Sequence, residues 1–166
     1  QRVADEVAPR LMMTNPVMEG LGNAKTIRNN NSSRFGKHFD IQFGANGMII
    51  GASTSVYLLE KPRIVQHLVG ERNYHIFYML CKCDDAEARR HGRLREWSDF
   101  AVLKQPGTVE SVTTWDDRHE FVAMHAALRE LGFTADARTG VDQRGQLYAM
   151  MGIVLHLGNV QFAEAA

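Results

Sequence analysis

The sequence predicts a mixed α/β chain, one β-hairpin flanked by helices before and after. Three observations lead there. Phe35, Phe39, Ile41 and Phe43 alternate with polar positions such as Asp40 and Gln42, the period of a strand with one buried face. Asn46-Gly47 follows, a strong reversal signal, and a second β-rich run comes after it. Farther on, Phe121, Met124, Leu128 and Leu131, then Leu147, Met150, Met151, Val154 and Leu155, recur at helical spacing. At 166 residues the chain is about one domain, and 45% hydrophobic content is enough for a packed core.

The elements follow in order. Val3, Val7 and Leu11 predict a helix over residues 1–14, interrupted or kinked at Pro9. Asn15 reads as an N-cap with Pro16 at the first helical position, starting a short second helix that Gly22 ends. A strand is predicted over Lys37–Phe43, with both central residues of the Asn46-Gly47 turn at positive φ. The return strand is Met48–Leu59, where Gly51 suggests a bulge or a close backbone approach. Glu71 to Tyr78 begins a helix with Ile76, Phe77 and Leu80 on one side. His75, on so aromatic a helix, reads as a packing residue. Asp84 to Arg95 reads as a charged, exposed helix, and Pro106-Gly107 as a turn. Thr114, three residues before Asp117, is the expected cap of the next helix, and Gly132 closes it. The last helix ends near Gly158, with its methionines as core filler.

Bulk properties exclude several classes. Nineteen basic and nineteen acidic residues cancel, so bulk charge points to no nucleic-acid partner. Two cysteines, Cys81 and Cys83, are too few and too close for a disulfide framework, which favours a reducing compartment. Their spacing is not that of paired zinc ligands. No apolar run approaches the roughly 20 residues of a membrane span. No repeat or linker divides residues 1–166, read as a single domain fragment.

Chemistry concentrates in Asn29-Asn30-Asn31-Ser32-Ser33-Arg34-Phe35-Gly36-Lys37. The stretch holds three amides, two hydroxyls and a guanidinium, with no acid. An Asn- and Ser-rich run is ordinarily a solvated loop, because these side chains bond their own backbone. The same donors also suit an anion rich in oxygen. Hydroxyls can ligate Mg²⁺, amides and backbone N–H groups can hold phosphate oxygens, and Arg can make a bidentate pair. Because the loop feeds directly into the first strand, any twist or shift of the hairpin must carry the loop with it.

The flanking text carries a family resemblance. Asn15-Pro16-Val17-Met18-Glu19-Gly20-Leu21-Gly22-Asn23-Ala24-Lys25-Thr26 precedes the loop and resembles the NPxxEAFGNAKT segment of the myosin motor domain. The nine loop residues match that family's switch I pattern without a substitution. Phe35-Gly36-Lys37 separates it from kinesins, whose SSR core runs on into Ser-His. Leu58-Leu59-Glu60-Lys61 resembles the LLEKSR ending of the family's transducer hairpin, with Pro62 in the Ser position, which stiffens the junction. Glu71–Tyr78 resembles ERNYHIFY, and Ile153–Phe162 resembles ILHLGNxxF. The resemblance runs from about Asn15 to Phe162. Gly20-Leu21 in place of Ala-Phe, Pro62, and residues 84–112 are the departures.

The resemblance implies part of a P-loop NTPase motor domain, with the hairpin belonging to its central mixed sheet. It implies ATP and Mg²⁺ as cofactors, actin filaments and the remainder of the motor chain as partners, and a cytoplasmic, cytoskeletal location. Asn29, Asn30, Asn31, Ser32, Ser33 and Arg34 would be the nucleotide-binding residues. Ser33 resembles the hydroxyl ligand of Mg²⁺. Ser32 resembles the residue that orients the attacking water and passes its proton, and Arg34 the one that pairs with a glutamate of switch II. Ser32 and Arg34 are thus the catalytic candidates.

Residues 1–166 contain no G-x-x-x-x-G-K-[ST] phosphate loop and no D-x-x-G-F-E switch II. The chain is therefore expected to be a window on the upper 50-kDa region of a motor, inactive alone and poorly folded alone, because its sheet edges stand open. The alternative is a truncated, non-catalytic motor piece serving as an interaction module. A GTPase- or kinesin-like fragment is disfavoured by the motif order.

Overall fold

The computed structural model describes residues 2–163. Its elements are α1 (Arg2–Gly22), β1 (Asn23–Ala24), β2 (Ser32–Ser33), β3 (Gly36–Phe43), β4 (Ile49–Tyr57), α2 (His75–Lys82), α3 (Ala86–Gly92), α4 (Asp117–Glu130) and α5 (Gln143–Leu157). Two antiparallel two-stranded sheets, β1–β2 and β3–β4, sit beside a helical body. The expected hairpin flanked by helices is present.

The N-terminal region departs from expectation. Instead of two helices meeting at Asn15, α1 runs unbroken through Pro9 and Pro16 to Gly22. Asn15 is therefore a mid-helix residue and caps nothing. Each proline deletes one backbone donor, and packing compensates, because Val17 and Leu21 lie against the core. Gly20 lies against it as well: a Cβ there would stand 3.1 Å from Met124 Sδ on α4, a tight contact with the end of a flexible side chain.

The main hairpin pairs Gly36 with Tyr57 through Gln42 with Gly51, then Phe43 with Ile49. The skipped Ile50 is the extra residue of a bulge, as the neighbouring Gly51 foreshadowed. The reversal is not the doubly positive turn expected of Asn46-Gly47. Gly47 alone has positive φ, at 74°, while Gly47 N donates to Gly44 O at 2.9 Å and Gly44 N to Met48 O at 2.8 Å. This is a short loop closed by a left-handed glycine. The alternation correctly indicated strands, but the expected buried face is absent. Phe43 is 62% exposed and Ile50 56%, with Ile41, Val56 and Tyr57 also exposed. Alternation reports which residues share a face; α1 lies against the Lys37 end of this one, where Lys37 Nζ donates to Asn15 Oδ1 at 3.0 Å, and leaves Ile41 and Phe43 uncovered.

The core lies in the helical body. Tyr74, Ile76, Phe77, Tyr78, Met79, Leu80 and Cys81 are all buried, so α2 is enclosed rather than amphipathic. Phe121, Met124 and Leu128 from α4 pack as expected, and Gly132 follows at φ 96°. The cap of α4 is Asp116, not Thr114. Its carboxylate accepts from Arg118 N at 2.9 Å and His119 N at 3.3 Å, while Val112 and Trp115 pair across a short turn upstream. On α5 the buried positions are Gly145, Tyr148, Gly152 and Leu155, whereas Met150 faces out. The face is set by glycine: a Cβ on Gly152 would fall 2.1 Å from Gly92 O, so α3 and α5 touch backbone to backbone. Consequently α3, expected as a solvated charged helix, buries Ala88 and Gly92.

Pro62 sits in the first turn of a 3-10 segment, Lys61–Ile64, a position that does not need its missing N–H. No described helix is long and apolar enough to cross a membrane.

Candidate functional site

The donor loop hangs from a clamp. Asn23 pairs with Ser33 and Ala24 with Ser32, so residues 25–31 project as a closed hairpin from the end of α1. Arg34 N donates to Gly22 O at 2.9 Å, and Ala24 also bridges to Tyr74 ahead of α2. Inside the loop, Asn29 N donates to Thr26 Oγ1 at 3.1 Å and Thr26 N to Asn29 O at 2.8 Å. Asn29 Oδ1 accepts from Asn31 N at 2.9 Å. These are the local side-chain-to-backbone bonds expected of such a composition.

The six predicted residues are brought together but divide in two by their bonding. Asn31 is used for scaffolding, because its Nδ2 donates to Glu19 Oε2 at 3.0 Å and its Oδ1 accepts from Asn23 Nδ2 at 2.9 Å. Asn30 Nδ2 donates to Thr114 Oγ1 at 3.1 Å, tying the loop to the turn before α4. What Asn30 can offer a ligand is therefore backbone, and Asn31 offers less still, since its N–H is already given to Asn29 Oδ1. Asn29 and Ser33 are exposed, and the Ser33 hydroxyl makes no hydrogen bond among the described residues. Ser32 is half-buried, with its Oγ accepting from Arg34 Nη1 at 3.3 Å.

Arg34 is already paired. Its Nε donates to Glu60 Oε2 at 2.7 Å, and the same oxygen accepts from Arg63 Nε at 2.7 Å. Arg63, nearly fully buried, goes on to Glu71 Oε2 at 2.8 Å and Arg72 O at 3.1 Å. Glu71 Oε1 in turn accepts from Ile27 N at 3.3 Å, returning the chain of charges to the loop. Burial opposes the Glu60 charge, but hydrogen bonds from Arg63 and Arg34 outweigh it and hold the carboxyl below its usual range. Tyr74 OH donates to Glu60 O at 2.7 Å, and burial, then the Glu60 charge, pushes the phenol up to about 12.

Sequence reading missed Glu60, Arg63, Glu71 and Glu19 as partners of the loop. One signal was present: Glu71 and Arg72 are charges opening an otherwise apolar segment, where a buried pair is the physical expectation.

His75 is a packing residue, as expected. It stacks on Trp115 at 4.0 Å between centroids, and burial, then the Arg72 charge, pushes it down to about 2. Cys81 and Cys83 are free, buried thiols. Burial pushes Cys81 up to about 12 and raises Cys83.

Comparison with known proteins identifies the family. The sequence model of the family described as "Myosin head (motor domain)" matches residues 1–166. The chain is 40% identical over 158 residues to Myosin-7 of Arabidopsis thaliana, covering 95% of this chain and 9% of that protein. It is 41% identical over 159 residues to Myosin-51 of Schizosaccharomyces pombe (96% and 10%). It is 42% identical over 161 residues to Unconventional myosin-Ia of Mus musculus (96% and 15%). The chain thus spans between 9% and 15% of the length of these curated relatives. The match over the whole chain and the identity to these relatives assign it to the myosin head (motor domain) family.

Proposed function

We propose that the chain supplies the phosphate-side loop of an actin-based motor that binds ATP with Mg²⁺ and hydrolyses it, in a cytoplasmic, cytoskeletal setting. The observation that carries this reading is the division within loop 29–34. Asn30 and Asn31 are spent on holding the loop, while the Ser33 hydroxyl is exposed and makes no hydrogen bond among the described residues. That is the arrangement a preorganised oxygen-donor site needs.

The donor set fits the proposed ligands. Among the described residues no group of three or more His, Cys, Asp or Glu could hold a metal ion. Mg²⁺ does not require such a cage, because it keeps several waters and binds through substrate phosphates plus one or two protein oxygens. Ser33 Oγ would be the protein oxygen. Bound there, Mg²⁺ would neutralise charge developing on the phosphate oxygens. Ser32 Oγ, held by Arg34 Nη1, would keep the attacking water in line. Asn29 Nδ2 and the loop backbone would hold phosphate oxygens. Arg34 would close the site by pairing with a carboxylate supplied from elsewhere in the motor. The remainder of the motor chain would cover the apolar faces of β3 and β4, and twisting of that hairpin would be passed to the loop through residues 34–36.

The test is Ser33→Ala and Arg34→Ala in the longer polypeptide. Each is expected to reduce actin-stimulated phosphate release by about a hundredfold, the usual effect of one lost transition-state contact. Near-normal turnover in both variants would refute the assigned roles.

A further inference from the structure

We propose that Glu60 is a positioning residue for Arg34: its carboxylate takes the Nε edge of the guanidinium and so presents the Nη1/Nη2 end to the second carboxylate that closes the site. The inference rests on the role proposed for Arg34 and adds a residue to it.

Three features place Glu60 in that role. It grips Arg34 twice, since Glu60 N donates to Arg34 O at 2.9 Å while Glu60 Oε2 accepts from Arg34 Nε at 2.7 Å. A planar guanidinium held by its backbone and one edge has little freedom left, and its remaining donors point along a fixed direction. Glu60 is itself fixed. Arg63 Nε reaches the same Oε2 at 2.7 Å and Tyr74 OH caps the Glu60 carbonyl at 2.7 Å. Finally, the chain bends sharply to bring Glu60 in. Leu58, an exposed non-glycine residue, sits at φ 55°, a conformation disfavoured for an L side chain and held here by the contacts of Glu60 two residues on. The result couples the end of β4 to the loop, while the covalent route through Phe35 couples β3 to it. A shift of β4 would re-aim Arg34.

The test uses the full-length motor with Glu60→Gln, Glu60→Asp, Arg34→Ala and a control, Asp85→Ala. The control removes a structural carboxylate that caps α3 through Ala88 N at 2.8 Å and makes no hydrogen bond to the loop. ATP binding is followed by fluorescent-nucleotide stopped flow, the hydrolysis step by quenched flow, and integrity by thermal melting. Glu60→Gln is expected to bind ATP within about twofold of the parent rate but to hydrolyse it at least about tenfold more slowly, with Glu60→Asp recovering most of the loss and Asp85→Ala near normal. Parental hydrolysis in Glu60→Gln would overturn the proposal. So would equal losses in Glu60→Gln and Asp85→Ala, which would mark Glu60 as structural only. Parental hydrolysis in Arg34→Ala would instead sink the role of Arg34 on which this rests.

Discussion

Replacing Asp117 with alanine would strand the Arg72 guanidinium in the core. Arg72 is fully buried, and the Asp117 side chain is 4% exposed. The pair is bidentate, Arg72 Nη2 to Oδ1 at 2.6 Å and Nη1 to Oδ2 at 2.9 Å, with Lys82 Nζ also at 3.2 Å from Oδ2. The other partners of Arg72 are neutral, the Glu110 carbonyl at 2.9 Å and His75 Nδ1 at 2.7 Å. They can accept hydrogen bonds but cannot balance the charge. Leaving one buried charge unpaired costs about 3–5 kcal/mol. At no more than roughly 2–4 °C per kcal/mol for a chain of this size or larger, that is a fall in Tm of at most about 6–20 °C. The assay is thermal melting in the longer polypeptide, followed by circular dichroism. The companion variant Arg72→Met with Asp117→Leu removes both charges and should lie within about 1–2 kcal/mol of the parent, because replacing a whole buried pair is often near neutral. A loss below about 1 kcal/mol for Asp117→Ala would show that solvent reaches Arg72, and would refute the reasoning.

Other consequences can be checked alongside. Gly152→Ala would drive a methyl onto Gly92 O, where 2.1 Å is available, and backbone cannot yield as a side chain does; a loss of at least about 1–3 kcal/mol in urea unfolding is expected, and a neutral substitution would mean that α3 and α5 are not in contact. His75 is neutral in the fold and titrates near 6.5 when unfolded, so its contribution is complete above that pH and is lost as pH falls toward about 2. Between pH 6.5 and 5 this amounts to about 2 kcal/mol, and His75→Asn, which keeps an acceptor near Arg72, should flatten the pH dependence of Tm; an unchanged slope would mean another group sets it. Expressed alone, residues 1–166 should bind a hydrophobic dye through Ile41, Phe43 and Ile50, and lysine at these positions should reduce the signal; a sharp cooperative melt without dye binding would show that the hairpin face needs no cover.

Much of this protein is local and was therefore legible in the sequence. The alternation of residues 35–43 specified a strand, Gly51 a bulge, and Phe121–Leu131 a helix closed by Gly132, since each depends on neighbours a few residues away. The side chains of the loop were legible as a donor set that suits an oxygen-rich anion. Where local signals competed with packing, packing won. Asn15-Pro16 carries every mark of a helix start, yet α1 passes through it because Val17, Gly20 and Leu21 lie against the core. Thr114 carries the cap motif, yet it is taken by Asn30 from 84 residues away, and Asp116 caps instead. Which asparagines would hold the loop and which residues would face a ligand was decided by Glu19, Asn23 and Thr114, none of which signals that role in one dimension. The partner of Arg34 was hidden for the same reason. Sequence shows that a guanidinium must find an anion, but only the bend at Leu58 and the return of β4 determine that the anion within reach is Glu60.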